Sequence, residues 1–216
     1  MPCNHKFIQD LNLENLDFQP TTLIVGTFNP AWPANNQAQW FYGRTTRNYF
    51  WDVLPALYQQ PGLRNIPAAE KPQAWKKFCQ TNNIAITDLI GSVNDADEMN
   101  NEHHIFLGDY SDSNIANRFH DFALTAVVDI LQNNPSIKSV YLTTKAQIPF
   151  FNEIWNAIEN YCLENNIHCR RLLTPSGSAR YQIPAGYVPQ FPIYNGVLAN
   201  YILENWHQEW HEQNLL

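Results

Sequence analysis

No run of about 18 consecutive apolar residues occurs in this chain, which excludes a helical membrane span on length. The opening segment, MPCNHKFIQDLNLENLD, has early polar and acidic residues and no continuous apolar core, so no secretory signal is expected and the chain reads as cytoplasmic. Cysteine is sparse. Cys3, Cys79, Cys162 and Cys169 form no close CxxC pair, which argues against a zinc knuckle or an iron–sulfur cluster and for reduced thiols. Cations are in the minority, 13 Lys and Arg against 20 Asp and Glu, giving a formal net charge of −7. Taken alone, that balance opposes a nucleic-acid partner, because phosphate neutralisation supplies much of such affinity. No Gly/Ser linker, repeat or low-complexity tract divides the 216 residues, so a single domain over 1–216 is expected.

What is present is a large apolar fraction, 44% hydrophobic and 13% aromatic, ample for one buried core. The charge is also unevenly placed. Residues 41–51, FYGRTTRNYFW, contain Arg44 and Arg47 with no acid, and residues 168–182, HCRRLLTPSGSARYQ, contain Arg170, Arg171 and Arg180 with no acid. Much of the negative charge gathers instead in NDADEMNNEHHIFLGDYSD, so a bipolar surface with a basic mouth and an acidic back is expected. His207 and His211 are four apart and could share a helical face as metal ligands. No third ligand accompanies them in sequence, and a solvated terminal helix is the simpler reading.

Leu23, Ile24 and Val25 carry no alternating polar face, as in a parallel strand covered on both sides, and Gly26 and Pro30 end the run. NYFWDVLPALYQ suits a helix from about Asn48, kinked or shortened by Pro55. EKPQAWKKFCQTNN reads as a second helix, and IAITDLI as an apolar run that follows it. SNIANRFHDFALTAVVDILQNN has the helical period, with Phe119, Leu124, Val127 and Leu131 on its apolar face. IKSVYLTT reads as a strand, PFFNEIWNAIENYCLENN as a helix and HCRRLLTPS as a last strand. The alternation implies an α/β protein, a three-layer αβα sandwich with a central, mostly parallel sheet of about four strands. Ligands of such sheets bind beyond the strands' carboxyl ends. The polar residues delivered there are Asn29, Asp88, Thr143 with Lys145, and Thr174 to Ser176.

GTFNP, then FYGRTTRNYFWDVL about a dozen residues later, then LLTPSGSAR near the end, resemble the motifs of the uracil-DNA glycosylase superfamily. Its mismatch-specific uracil/thymine-DNA glycosylases and hypoxanthine-DNA glycosylases are the nearest groups. The first of these shows GINPG, a segment like FAHPANRFW, and NPSGLSR in the same order, and the match here runs from residue 23 to 180. The resemblance implies a pocket for a base flipped from DNA, walled by Phe28, with Asn29 positioning and polarising the attacking water. Backbone donors near Phe28 would stabilise the departing base, although Asn29 could instead merely open a turn before Pro30. It implies Tyr42, or next Phe41, as the aromatic on which the base stacks. Asn48 would be a second catalytic amide, or alternatively a helix cap. Ser176, Gly177, Ser178 and Arg180 match the loop that enters the duplex, with Arg44, Arg47 and Lys145 as further DNA-binding cations. Arg180 could equally be a solvated loop cation.

The departures are specific. Thr27-Phe28 stands where one apolar residue is usual, Ala31 where Gly is expected, and Arg44-Thr45-Thr46 replaces His-Pro. Thr174 replaces Asn, and Ser178 occupies the place of the bulky wedge, a role that could pass to Tyr181. The GQDPYH-like motif of the uracil-specific branch is missing, as is the cysteine spacing of the iron–sulfur branch. No lysine occupies a motif-matched nucleophile position, so simple hydrolysis is implied, with no metal and no cofactor. The implied protein is a monofunctional, monomeric DNA glycosylase acting on DNA with a damaged or mismatched base, uracil first and hypoxanthine second. Two other readings stay open: a base- or DNA-binding module of the same fold without catalysis, and a hydrolase of free nucleosides. The expected geometry is a carboxamide facing an aromatic shelf across a cavity sized for one nucleobase.

Overall fold

A computed structural model describes residues 1–32, 36–190, 194 and 196–211. Its centre is a four-stranded parallel sheet of β2 (Thr22–Gly26), β3 (Ile84–Asp88), β6 (Ser139–Leu142) and β7 (His168–Arg171), in the order β3-β2-β6-β7. All five residues of β2 and of β3 are buried. Successive side chains of a strand point to opposite faces. Leu23 and Val25 accordingly join one apolar cluster, with Trp155, Ile158 and Leu131, while Ile24 joins another, with Phe50, Trp51, Trp75 and Trp206. The first cluster is closed by α5 (Val127–Asn133) and α6 (Pro149–Glu164). The second is closed by α1 (Phe50–Leu57), α2 (Lys71–Thr81) and α7 (Val197–Glu209). The expected three-layer αβα sandwich is therefore the fold, and no described helix is long and apolar enough to cross a membrane.

The structure departs from the sequence reading in four places. The run IAITDLI is two strands. β3 ends at Asp88, Leu89 buries its side chain fully, and β4 (Ile90–Val93) crosses into a second, antiparallel sheet ordered β1-β4-β5, with β1 at Cys3–Asn4 and β5 at Phe122–Leu124. The long helix expected over SNIANRFHDFALTAVVDILQNN is broken into α4 (Asp112–Arg118), which follows α3 (Asn101–Gly108), then β5 and α5, because the Phe122–Leu124 backbone pairs with β4; Leu124, assigned to an apolar face, is 48% exposed. The helix expected from about Asn48 begins close by, at Phe50, but its proline behaves differently. Pro55 sits inside it without breaking it, since the Trp51 carbonyl that its missing N–H would have reached accepts from Leu63 N at 2.6 Å. Finally, the terminal helix is not simply solvated. His207 is exposed, but Trp206 and Trp210 are buried against the α1 layer. Among the described residues no group of three or more His, Cys, Asp or Glu could hold a metal ion.

Candidate active site

The carboxyl end of β2 is a crowded place. Gly26 pairs with Asp88 across the sheet, and a Cβ at Gly26 would lie 2.1 Å from Asp88 Oδ1 and 2.8 Å from the Tyr42 hydroxyl. Only a residue without a side chain lets the carboxylate and the phenol converge there. Tyr42 is held in a left-handed backbone conformation, φ 55°, which turns its ring back over the sheet. Its hydroxyl bonds Thr143 Oγ1 at 2.8 Å, at the end of β6, and its ring stacks on Phe50, with centroids 3.8 Å apart and planes 3° apart. Phe50 thus covers one face of Tyr42. Phe41 is 1% exposed, packed among His5, Phe7 and Trp40, and belongs to the core. Phe28 is also buried, its ring 5.9 Å from that of His5.

Asn29 sits just past the strand, 8% exposed. Its backbone carbonyl accepts from Lys6 N, and its Oδ1 accepts from Asn36 Nδ2 at 2.7 Å. The N–H groups of Thr27, Phe28 and Asn29 donate to nothing among the described residues. Successive main-chain donors left free in this way are rare inside a fold and favour an anionic oxygen. No hydrogen bond joins Asn29 to Tyr42 or to Asn48 among the described residues.

Two carboxylates stand behind this loop. Asp88 Oδ2 and His5 Nε2 are 2.7 Å apart, both side chains buried. His5 Nδ1 accepts from Phe7 N at 3.0 Å, so the ring carries its proton on Nε2 and donates it to the carboxylate. Asp112, in the first turn of α4, accepts from Thr27 Oγ1 at 2.6 Å. Burial pushes the Asp112 carboxyl up to about 6; the Thr27 hydroxyl opposes the rise and the nearby Asp88 charge adds to it. Burial, then the charges of Asp88 and Asp112, likewise hold the Tyr42 phenol well above its ordinary range, so it stays neutral.

The second and third motifs meet through the main chain. Asn48 and Ser176 form an antiparallel bridge, and Tyr49 N donates to Pro175 O at 2.7 Å. Asn48 Oδ1 accepts from Phe50 N at 2.9 Å, an Asx turn one residue ahead of the N-cap Tyr49, and its Nδ2 donates to nothing among the described residues. Ser176 caps its own turn by accepting from Ser178 N. Gly177 faces Arg47, and a Cβ there would stand 3.6 Å from Arg47 Cβ, an ordinary contact that does not demand glycine. Ser178, Arg180 and Arg47 are exposed. Tyr181 is 77% exposed, and Arg180 reaches both its hydroxyl, at 2.6 Å, and its ring. Arg44 is exposed but lies over the Tyr110 ring, 3.1 Å from its centroid, and Lys145 is ion-paired to Glu209 at 2.8 Å.

Two cavities, of about 490 and about 420 Å³, lie elsewhere: one under the amino-terminal segment against α2, lined by Asp10, Leu16, Lys76 and Gln80, the other between α5 and α6. The motif residues line neither of them, so neither is the nucleobase-sized gap expected between Asn29 and Tyr42. Sequence reading also passed over His5, Asn36 and Asp112. Asp88 was visible only as a polar strand end. His5 gave no signal, because its partner is 83 residues away.

No family model matches this chain, and no curated protein does. Among solved structures it is similar to the solution NMR structure of a protein of Methanosarcina acetivorans described as a candidate uracil DNA glycosylase. The likeness covers 91% of this chain and 94% of that one, at 13% identity and a TM-score of 0.51. At that identity the likeness establishes a shared fold.

Proposed function

We propose that this chain is a monofunctional DNA glycosylase of base-excision repair, hydrolysing the N-glycosidic bond of a deaminated base flipped out of DNA, uracil first and hypoxanthine second. The observation that carries the reading is convergence. Three motifs spread over 23–180 supply a buried carboxamide, an aromatic ring stacked on Phe50 and a basic, exposed loop, with the first two set at the carboxyl end of one parallel sheet. The fold shared with a protein described as a candidate uracil DNA glycosylase supports it.

In this reading the extruded base stacks on the face of Tyr42 turned away from Phe50, against a wall made by Phe28 and backed from the core by Phe41. Water held by Asn29 bonds through its oxygen to C1′ of the sugar. The C1′–N bond breaks, its electron pair leaves with the base, and the water's proton ends on that base. The free N–H groups of Thr27, Phe28 and Asn29 stabilise the charge that builds on the base. Asn48 acts as a second catalytic amide through its remaining NH2. Ser176, Gly177, Ser178, Arg180 and Arg47 bind phosphate, with Arg44 and Lys145 at the margin, and Tyr181 enters the duplex. The protein works as a monomer in the cytoplasm. With no motif-matched lysine, the product is an unbroken abasic strand.

The test is incubation of the purified protein with duplexes carrying uracil, hypoxanthine, xanthine or mispaired thymine, followed by alkali. Alkali-dependent breaks at uracil, and more slowly at hypoxanthine, are expected. Tight, salt-sensitive DNA binding with no breaks would select the binding module, and cleavage of free nucleosides indifferent to DNA would select the nucleoside hydrolase.

A further inference from the structure

We propose that Asn36 is a positioning residue: it fixes the Asn29 carboxamide with its oxygen turned inward and its NH2 group turned toward the substrate, so that Asn29 acts first as a hydrogen-bond donor. This rests on the glycosylase reading above and deepens it.

The argument is one of hydrogen-bond polarity. An asparagine amide has two ends of similar shape, so its orientation follows from its neighbours. Asn36 is 6% exposed and both of its ends meet main-chain groups. Its Nδ2 donates to the Pro30 carbonyl, and its Oδ1 accepts from Ala38 N at 3.1 Å. Turned over, it would set oxygen against the Pro30 oxygen and N–H against the Ala38 N–H, two repulsive contacts. Its orientation is therefore dictated by groups that cannot change role. The same Nδ2 reaches Asn29 at 2.7 Å, so Asn29 must present an acceptor to it, and that acceptor is Oδ1. Asn29 Nδ2 is then left on the other side, without a partner among the described residues, on a side chain more than nine-tenths buried.

The segment after β1 locks both residues in place. Lys6 N donates to the Asn29 carbonyl and Lys6 Nζ to the Asn36 carbonyl, at 2.8 and 2.6 Å, and Ala31 N donates to Asn4 O at 2.9 Å. The chemical consequence is specific. A donor held beside the free Thr27–Asn29 amides grips a carbonyl oxygen of the departing base, where charge accumulates, while the one lone pair left on Oδ1 can still accept from water. A carboxylate at position 29 would offer only acceptors there and could not do this.

The test is a double-mutant cycle on single-turnover excision from a uracil-containing duplex, with binding of the same duplex measured alongside. Asn29→Ala, Asn36→Ala and the double variant are each expected to lose about 100-fold in rate, the size of removing one preorganised donor, with duplex binding unchanged. A residue acting only through Asn29 adds nothing once Asn29 is gone. Asn36→Asp, isosteric but unable to donate when ionised, is expected to lose as much, and it carries the same test if Asn36→Ala does not fold. Excision at the parent rate by both Asn36 variants, or losses that multiply in the double variant, would overturn the proposal and leave the glycosylase reading standing. An Asn29→Ala protein as fast as the parent would overturn both.

Discussion

Replacing Asp112 by Asn should stabilise the protein at neutral pH and leave it unchanged in acid. The Asp112 carboxyl accepts a hydrogen bond from Thr27, an interaction that the carbonyl end of Asn reproduces, so the substitution removes chiefly a charge. That charge is unwelcome. Burial lifts the carboxyl from the ordinary 3.8 to about 6, even though the first turn of α4 and the Thr27 hydroxyl both favour the ionised form. A rise of that size corresponds to about 3 kcal/mol at 1.36 kcal/mol per pH unit, a ceiling that partial solvent access at the helix start lowers to about 1–3 kcal/mol. The sign follows from linkage. Below 3.8 the group is protonated whether the chain is folded or not. Between 3.8 and about 6 the unfolded chain releases the proton that the folded chain keeps, so stability falls as pH rises, and above about 6 the penalty is constant. Urea unfolding of parent and D112N across this range is the assay. The variant should be more stable near pH 8 by about 1–3 kcal/mol, with the gap closing near pH 4. A gap that does not change with pH, or a variant less stable near pH 8, would refute the reasoning.

Gly26→Ala places a methyl group 2.1 Å from Asp88 Oδ1 and 2.8 Å from the Tyr42 hydroxyl, so both groups must move. Overpacking of this kind costs about 1–3 kcal/mol in urea unfolding, and excision should fall at least about tenfold as the ring is displaced. Parent stability and activity would show that the two groups do not converge on this glycine. Tyr42→Phe keeps the stacking face and loses only the bond to Thr143, so excision should stay within a few-fold of the parent. Tyr42→Leu loses the face itself and should weaken capture of the flipped base by about 1–3 kcal/mol, read as a raised KM. Arg47→Gln and Arg180→Gln should each weaken duplex binding about equally for all sequences and flatten the salt dependence by about one ion, measured by anisotropy titration at several salt concentrations. An unchanged slope would remove that residue from the interface.

The layered fold was legible because its carriers are local. Leu23 to Val25 have no polar side, and the structure buries both faces of that strand under helices. The 16 residues of α6 repeat their apolar positions long enough to fix the period. The break after Asp88 was hidden because Leu89 is itself apolar and fully buried, with no Gly or Pro at the point where the chain changes sheets. β5 is three residues long and owes its conformation to pairing with β4, which no window of the local sequence contains. The site divides in the same way. Asn29, Tyr42 and Asn48 are candidates because each stands in a recognisable string. Phe41 was offered for stacking beside Tyr42, since neighbours in sequence cannot reveal that a left-handed residue sends one ring over the sheet and the other into the core. His5 and Asn36 are bonded to partners brought near by tertiary folding or by an irregular loop, where no periodic signal exists.

The central claim is that the carboxamide beyond β2 takes part in breaking a glycosidic bond. The most direct measurement compares the parent and Asn29→Ala in single-turnover release of uracil and hypoxanthine from duplex DNA, scored as alkali-labile sites. The account predicts an active parent and a variant slower by about 100-fold that binds the duplex as well as before. A parent that makes no abasic sites, or a variant as fast as the parent, would contradict it.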